Sequence, residues 1–168
     1  MSVFLSSGPH RDRVFNLIDA LSEKLMARNM LLGTAESCTG GLISALCTEV
    51  AGSSRWFAGG VVSYANSVKS GLLGVDPALL ATHGAVSGPV VEAMARGALG
   101  ALGVDASLAV SGVAGPDGGS ADKPVGTVWI AAGLSARIVA RRHLFSGNRG
   151  DVRFAAALAA LEAVAELL

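Results

Sequence analysis

Thr34-Ala35-Glu36-Ser37-Cys38-Thr39-Gly40-Gly41 gathers a carboxylate, three hydroxyls and a thiol just before two glycines. A short apolar run, Met30-Leu31-Leu32, precedes it, and Leu42-Ile43-Ser44-Ala45-Leu46-Cys47 follows as a helix. A strand that passes into a helix through such a turn can lift a nucleophile out of a sheet. It can also offer free backbone N–H groups to an anion. Ser37 is the first nucleophile this implies, provided a base takes its proton. The competing reading is that Ser37 and Thr39 only cap the helix. Cys38 is a rival nucleophile, since thiolates are favoured at helix N-termini, but no histidine lies near it in sequence and a buried structural thiol fits better. Glu36 can orient a lysine, bind a substrate hydroxyl, or serve as an ordinary turn carboxylate.

Bases are scarce. The lysines are Lys24, Lys69 and Lys123. Lys69 lies in Tyr64-Ala65-Asn66-Ser67-Val68-Lys69, just past an expected strand, and Tyr64 is the only tyrosine. Burial lowers a lysine pKa enough for base catalysis near neutrality, although spacing alone favours a solvated surface lysine. Ser120-Ala121-Asp122-Lys123 matches a Ser-x-x-Lys pattern that needs a helix, and Gly118, Gly119 and Pro124 around it favour a loop. The Gly112–Gly119 segment fits neither a Walker A loop nor a dinucleotide fingerprint. Its glycines still permit close approach of backbone to a ligand. Arg149, expected in the loop after the last strand, can grip a phosphate with two nitrogens. The alternative for it is a plain charge near the closing helix.

The elements that must position these residues follow from periodicity. Val14, Leu17, Ile18, Leu21 and Leu25 predict an amphipathic helix from Pro9 to Asn29. Strands are expected at Met30–Ala35, Phe57–Tyr64, Ser107–Ser111, Val125–Ala132 and Ala136–Phe145, the last two as a hairpin around Gly133-Leu134-Ser135. Helices are expected at Gly41–Val50, Asn66–Leu73, Pro77–Ala81 with Asp76 as its cap, Ser87–Leu102, and Asp151–Leu168. Arg141-Arg142-His143 reads as a polar outer face of a strand. Alternation of strands and helices predicts a single α/β domain of three layers, α/β/α, around a mixed, mostly parallel sheet. If the strands ending near Ala35 and Ser111 are parallel neighbours, the Ser37 turn and the glycine loop share one sheet edge.

Composition narrows the function. The 168 residues are 51% hydrophobic and 15% charged, with a formal net charge of zero. Extensive burial follows, with room for a homodimer or higher homo-oligomer interface. Without a basic stripe, nucleic-acid binding is not indicated. No apolar run approaches the ~20 residues of a membrane span. Residues 1–9 lack the pattern of a secretory signal, so the expected location is cytoplasmic. Cys38 and Cys47 fall on one segment, and His10, His83 and His143 are scattered, so neither a disulfide nor a zinc site is expected.

Taken in order, the motifs resemble one family. They are Thr-Ala-Glu-Ser-Cys-Thr-Gly-Gly, Tyr64-x-Asn66-x-x-Lys69, His83-Gly84-Ala85-Val86-Ser87, Ser111-Gly112-x-Ala114-Gly115-Pro116-x-Gly118-Gly119 and Lys123-Pro124-Val125-Gly126-Thr127-Val128-Trp129. The set is similar to the nicotinamide mononucleotide deamidases, also known as the CinA C-terminal domain, from about residue 12 to the end. The resemblance implies an amidohydrolase that converts nicotinamide mononucleotide to nicotinic acid mononucleotide and ammonia, without metal or cofactor. It implies Ser37 as nucleophile, Lys69 as base and Tyr64 as a group that shares or relays the proton or only orients Lys69. Substrate binding falls to Glu36, Thr39, Gly40, Gly41, Ser111, Gly112, Gly115 and Arg149. Met1–Arg11 stands as a flexible extension of the stand-alone form, without the second domain found in many relatives. The competing function is a non-catalytic pyridine-nucleotide-binding regulatory module; an oligomeric scaffold without ligand leaves the loops unexplained.

Overall fold

A computed structural model describes residues 9–168. Of the extension expected at the N-terminus, residues 1–8 lie outside the described residues, and 9–11 belong to the first helix. In chain order the elements are α1 (Pro9–Ala27), β1 (Leu32–Glu36), α2 (Leu42–Thr48), β2 (Phe57–Val62), α3 (Asn66–Leu73), α4 (Pro77–His83), α5 (Gly88–Leu102), β3 (Ala106–Gly112), β4 (Thr127–Leu134), β5 (Arg137–Leu144) and α6 (Arg149–Leu167). A single 3₁₀ turn at Ser53–Arg55, which periodicity did not predict, leads into β2.

The five strands lie in the order β2-β1-β3-β4-β5. β1 pairs in parallel with β2 and β3, while β4 runs antiparallel to β3 and β5. Four strands therefore share one direction and β4 alone opposes them, which is the expected mixed sheet. Every residue of β1 is buried, as a central strand covered on both faces requires. The hairpin turn falls at residues 135–136, one to two residues later than expected, because Leu134 still pairs with Arg137.

Helices cover both faces. Val14, Ile18, Leu21 and Leu25 of α1, Ile43 and Leu46 of α2, and Val152 and Leu161 of α6 pack with Leu32, Leu108, Val110, Val128 and Ile130. On the opposite face Val90, Val91 and Met94 of α5 pack with Ala35, Ala109 and Ala131. Leu73, at the end of α3, joins this second layer.

The contact between α3 and α5 depends on Gly97. A Cβ there would overlap the Leu73 carbonyl oxygen and come within 2.7 Å of its carbon. Backbone cannot rotate away as a side chain can, so Gly97→Ala must push α3 off α5. Overpacking of this kind costs about 2 kcal/mol. A thermal melt of Gly97→Ala should show a midpoint ~4–8 °C below wild type. An unchanged midpoint would mean that α3 is free to shift, and with it Lys69.

Candidate active site

The carboxyl ends of β1, β2 and β3 share one sheet edge, as the parallel pairing of β1 with β3 requires. Ser37 follows β1 directly and is buried; its N–H donates to the Val110 carbonyl at 3.0 Å. The chain then turns sharply. The Gly40 N–H donates to the Ser37 carbonyl at 3.1 Å, and Gly40 and Gly41 take φ of 61° and 93°. These left-handed values suit glycine and cost other residues ~1 kcal/mol or more each.

The capping role at the start of α2 falls to Glu36. Its Oε2 accepts from the N–H groups of Gly41 (2.9 Å) and Ile43 (3.1 Å). Its Oε1 accepts from the Ser44 N–H (2.8 Å) and the Ser44 hydroxyl (2.7 Å). The carboxylate satisfies the orphan donors that open α2, where no cap side chain bonds. Ser37 is thereby released from capping. The same bonds favour the turn-carboxylate reading of Glu36 over binding substrate or orienting a lysine. Glu36 is fully buried, and among the described residues the partners of its carboxylate all belong to the turn and α2.

Lys69 is not a surface residue. It is 1% exposed on α3, which Asn66 begins directly after the strand end. Its Nζ lies 3.2 Å from Ser37 Oγ, 2.8 Å from the Ser63 carbonyl and 3.1 Å from the Tyr64 carbonyl. Among the described residues no carboxylate forms an ion pair with it. Burial pushes the Lys69 pKa down, against a smaller opposing effect of Cys38. A neutral amine has two N–H donors and one lone pair. With both donors on the Ser63 and Tyr64 carbonyls, the lone pair faces Ser37 Oγ.

Tyr64 takes a different place from that of a relay. Its side chain is 61% exposed, and its hydroxyl accepts a long bond from Arg149 Nη2 at 3.4 Å. Only its main-chain carbonyl touches Lys69. Arg149 also donates to the Gly115 carbonyl at 2.8 Å, so it links the glycine loop to Tyr64 at the rim. It stands in α6 and not in the preceding loop. Asn148 caps that helix, accepting from Gly150 and Asp151, while Asp151 accepts from the Asn148 N–H. This capping box starts α6 two residues earlier than expected.

The remaining expected contacts divide. Ser111 is buried at the end of β3, on the sheet edge shared with Ser37. Gly112 is used by packing: a Cβ there would stand 2.8 Å from the Thr127 carbonyl oxygen. Thr39 is fully buried, and its hydroxyl has no partner among the described residues. Cys38 is 5% exposed, and burial pushes its thiol up to about 11, which removes the thiolate a nucleophile needs. Ser120-x-x-Lys123 is a loop, as its glycines and proline imply; Lys123 reaches the His83 carbonyl at 2.9 Å.

Three contributors were not foreseen: the Ser63 carbonyl, the Val110 carbonyl and Arg153. Arg153 donates from Nε to the Cys38 carbonyl (3.2 Å) and from Nη2 to the Thr39 carbonyl (2.7 Å). Its signal was its place four residues after Arg149, on one helix face once α6 is started at Arg149.

An α/β/α domain that presents a buried serine–lysine pair at a strand-to-helix elbow has the parts of a hydrolase site. The chain belongs to the CinA C-terminal domain family, whose model matches residues 15–168. The nicotinamide-nucleotide amidohydrolase PncC of Pseudomonas putida is 49% identical over 156 residues, covering 93% of this chain and 98% of that protein. The protein of the same name from Escherichia coli K12 is 48% identical over 150 residues, covering 89% and 91%. Among solved structures, a competence-damaged protein (CinA) superfamily protein from Escherichia coli superposes with a TM-score of 0.90 at 32% identity. That match covers 98% of this chain and 95% of the other.

Proposed function

We propose that this protein is an amidohydrolase that converts nicotinamide mononucleotide to nicotinic acid mononucleotide and ammonia. The observation that carries the chemistry is the Lys69 amine, buried with no carboxylate partner among the described residues and 3.2 Å from Ser37 Oγ. The substrate class rests on relatives named nicotinamide-nucleotide amidohydrolases at 48–49% identity over nearly their whole length.

In this reading neutral Lys69 takes the Ser37 proton as Oγ attacks the carboxamide carbon. The oxygen of the tetrahedral intermediate meets the Cys38 N–H, which faces its own thiol and from which no backbone carbonyl accepts among the described residues. Protonated Lys69 then gives its proton to the amide nitrogen, the C–N bond breaks, and ammonia leaves. Water, deprotonated by Lys69, cleaves the acyl–Ser37 ester and releases the acid. The nucleotide is assigned to Gly40, Gly41, Ser111, Gly112, Gly115 and Arg149, with Arg149 the cation suited to its phosphate. Tyr64 lines the rim, and Glu36 and Thr39 support the turn from beneath.

The protein is also proposed to self-associate. This reading rests on a composition of 51% hydrophobic and 15% charged residues, which leaves room for an apolar interface. No helix among the described residues is long and apolar enough to cross a membrane.

Incubation with nicotinamide mononucleotide should release ammonia and nicotinic acid mononucleotide in equal amounts, read by an ammonia assay and by mass spectrometry. Binding of the nucleotide without either product would overturn the enzymatic reading and favour a regulatory module.

A further inference from the structure

Arg153 is charged, stands on α6, and spends two guanidinium nitrogens on the turn that follows Ser37. Arg153 is half-buried and both bonds go to main-chain carbonyls, so what these carbonyls control becomes the question. A trans peptide is planar, and its C=O and N–H point in opposite directions. Holding the Thr39 carbonyl therefore fixes the Gly40 N–H. That N–H donates to the Ser37 carbonyl at 3.1 Å. The Ser37 carbonyl in turn shares its peptide plane with the Cys38 N–H. The Arg153 charge thus heads a line of two aligned peptide dipoles that ends at the Cys38 N–H. Hydrogen-bonded chains polarise one another, and a charged first donor strengthens the effect. The second bond, to the Cys38 carbonyl, stops the intervening peptide from flipping.

We propose that Arg153 is a positioning residue that orients and polarises the Cys38 N–H as the donor to the oxyanion formed when Ser37 attacks. This inference rests on the reading of Ser37 as nucleophile. Arg153 acts through the turn and not on the substrate, so its loss lowers the rate of acylation and leaves ground-state binding intact.

The test compares wild type, Arg153→Met, Arg153→Lys and Arg153→Ala in two assays. One is turnover of nicotinamide mononucleotide. The other is the rate at which a fluorophosphonate probe labels Ser37, followed by mass spectrometry, since its phosphoryl oxygen needs the same donor whatever the natural substrate. For Arg153→Met, kcat and the labelling rate should both fall on the order of 10²-fold, the scale for one oxyanion donor. KM should change less than about 3-fold. The acid limb of the pH profile should stay in place, because Lys69 is untouched. Arg153→Lys should lie between wild type and Arg153→Met, and added guanidinium should restore part of the rate to Arg153→Ala. Thermal melts identify any variant that is unfolded, and Arg153→Lys keeps a cation if the others fail. A raised KM with kcat retained would make Arg153 a direct ligand for the substrate and overturn the inference, as would unchanged labelling. Wild type that labels but does not turn over the nucleotide removes the substrate assignment alone. Wild type that does neither removes both.

Discussion

Lys69→Met will lose nearly all amidase activity, with kcat reduced on the order of 10³-fold, the middle of the range for a positioned general base. Lys69→Arg will be as poor. Arginine supplies N–H donors for the Ser63 and Tyr64 carbonyls but stays charged and cannot give up its proton. A lysine that only donated hydrogen bonds would tolerate this replacement, so substantial activity in Lys69→Arg would end its role as base. Ser37→Ala should match these losses, and Cys38→Ala should stay within about 3-fold of wild type, because its thiol is protonated and nearly enclosed. Activity lost in Cys38→Ala and kept in Ser37→Ala would transfer the chemistry to sulfur.

The pH dependence follows from the same burial. The base form is neutral Lys69, and burial lowers its pKa, so the active form is present at lower pH than for a solvated lysine. As pH falls through the folded-state pKa, kcat/KM should drop about tenfold per unit. Stability moves in the same direction. Between the lowered folded pKa and the ordinary unfolded value, the unfolded chain binds one more proton than the folded one, so folding becomes more favourable as pH rises. The stability of wild type relative to Lys69→Met should therefore increase across that window, which urea titrations at several pH values will measure. A flat difference would mean that Lys69 titrates alike in both states.

Much of this was legible in the sequence, for reasons that particular residues make clear. The periodic apolar residues of α1 and the run of β1 report burial, and both elements stand where periodicity put them. The parallel pairing of β1 with β3, which the sequence left as a condition, brings the Ser37 turn and the glycine loop to one edge. Lys69 was ambiguous because a lysine near the start of a short helix is normally solvated. Its burial depends on α3 packing against α5, which no local pattern records. Tyr64 was misplaced for a related reason: its main-chain carbonyl, and not its phenol, meets Lys69, and sequence names side chains only. Arg153 was hidden by a helix start set two residues late. Glu36 was left open in sequence because a carboxylate beside a nucleophile suggests chemistry, while the donors that claim it lie five to eight residues ahead.

That reassignment makes Glu36→Gln the sharpest structural test. The carboxylate is fully buried and meets donors on both oxygens: Gly41 and Ile43 N–H on one, Ser44 N–H and hydroxyl on the other. Glutamine keeps the length and shape but has one acceptor oxygen and one NH₂ group. In either orientation the NH₂ faces at least one backbone N–H that cannot reverse its polarity. A donor loses its partner, another group opposes it, and the charge that balanced the start of α2 is gone. Leaving a buried donor unsatisfied at a charged site costs about 3 kcal/mol. For a chain of this size that lowers the melting midpoint by ~6–12 °C. The Ser44 hydroxyl also touches Thr34 Oγ1 at 2.8 Å, so the disturbance extends back into β1. Activity should fall with stability, through kcat, as the turn after Ser37 loosens. A substrate-binding Glu36 predicts the reverse: a raised KM with the melting midpoint unmoved. A midpoint within 2 °C of wild type, an experimental threshold set at about half the shift of one kcal/mol, would therefore return Glu36 to the substrate and leave the first turn of α2 without an account.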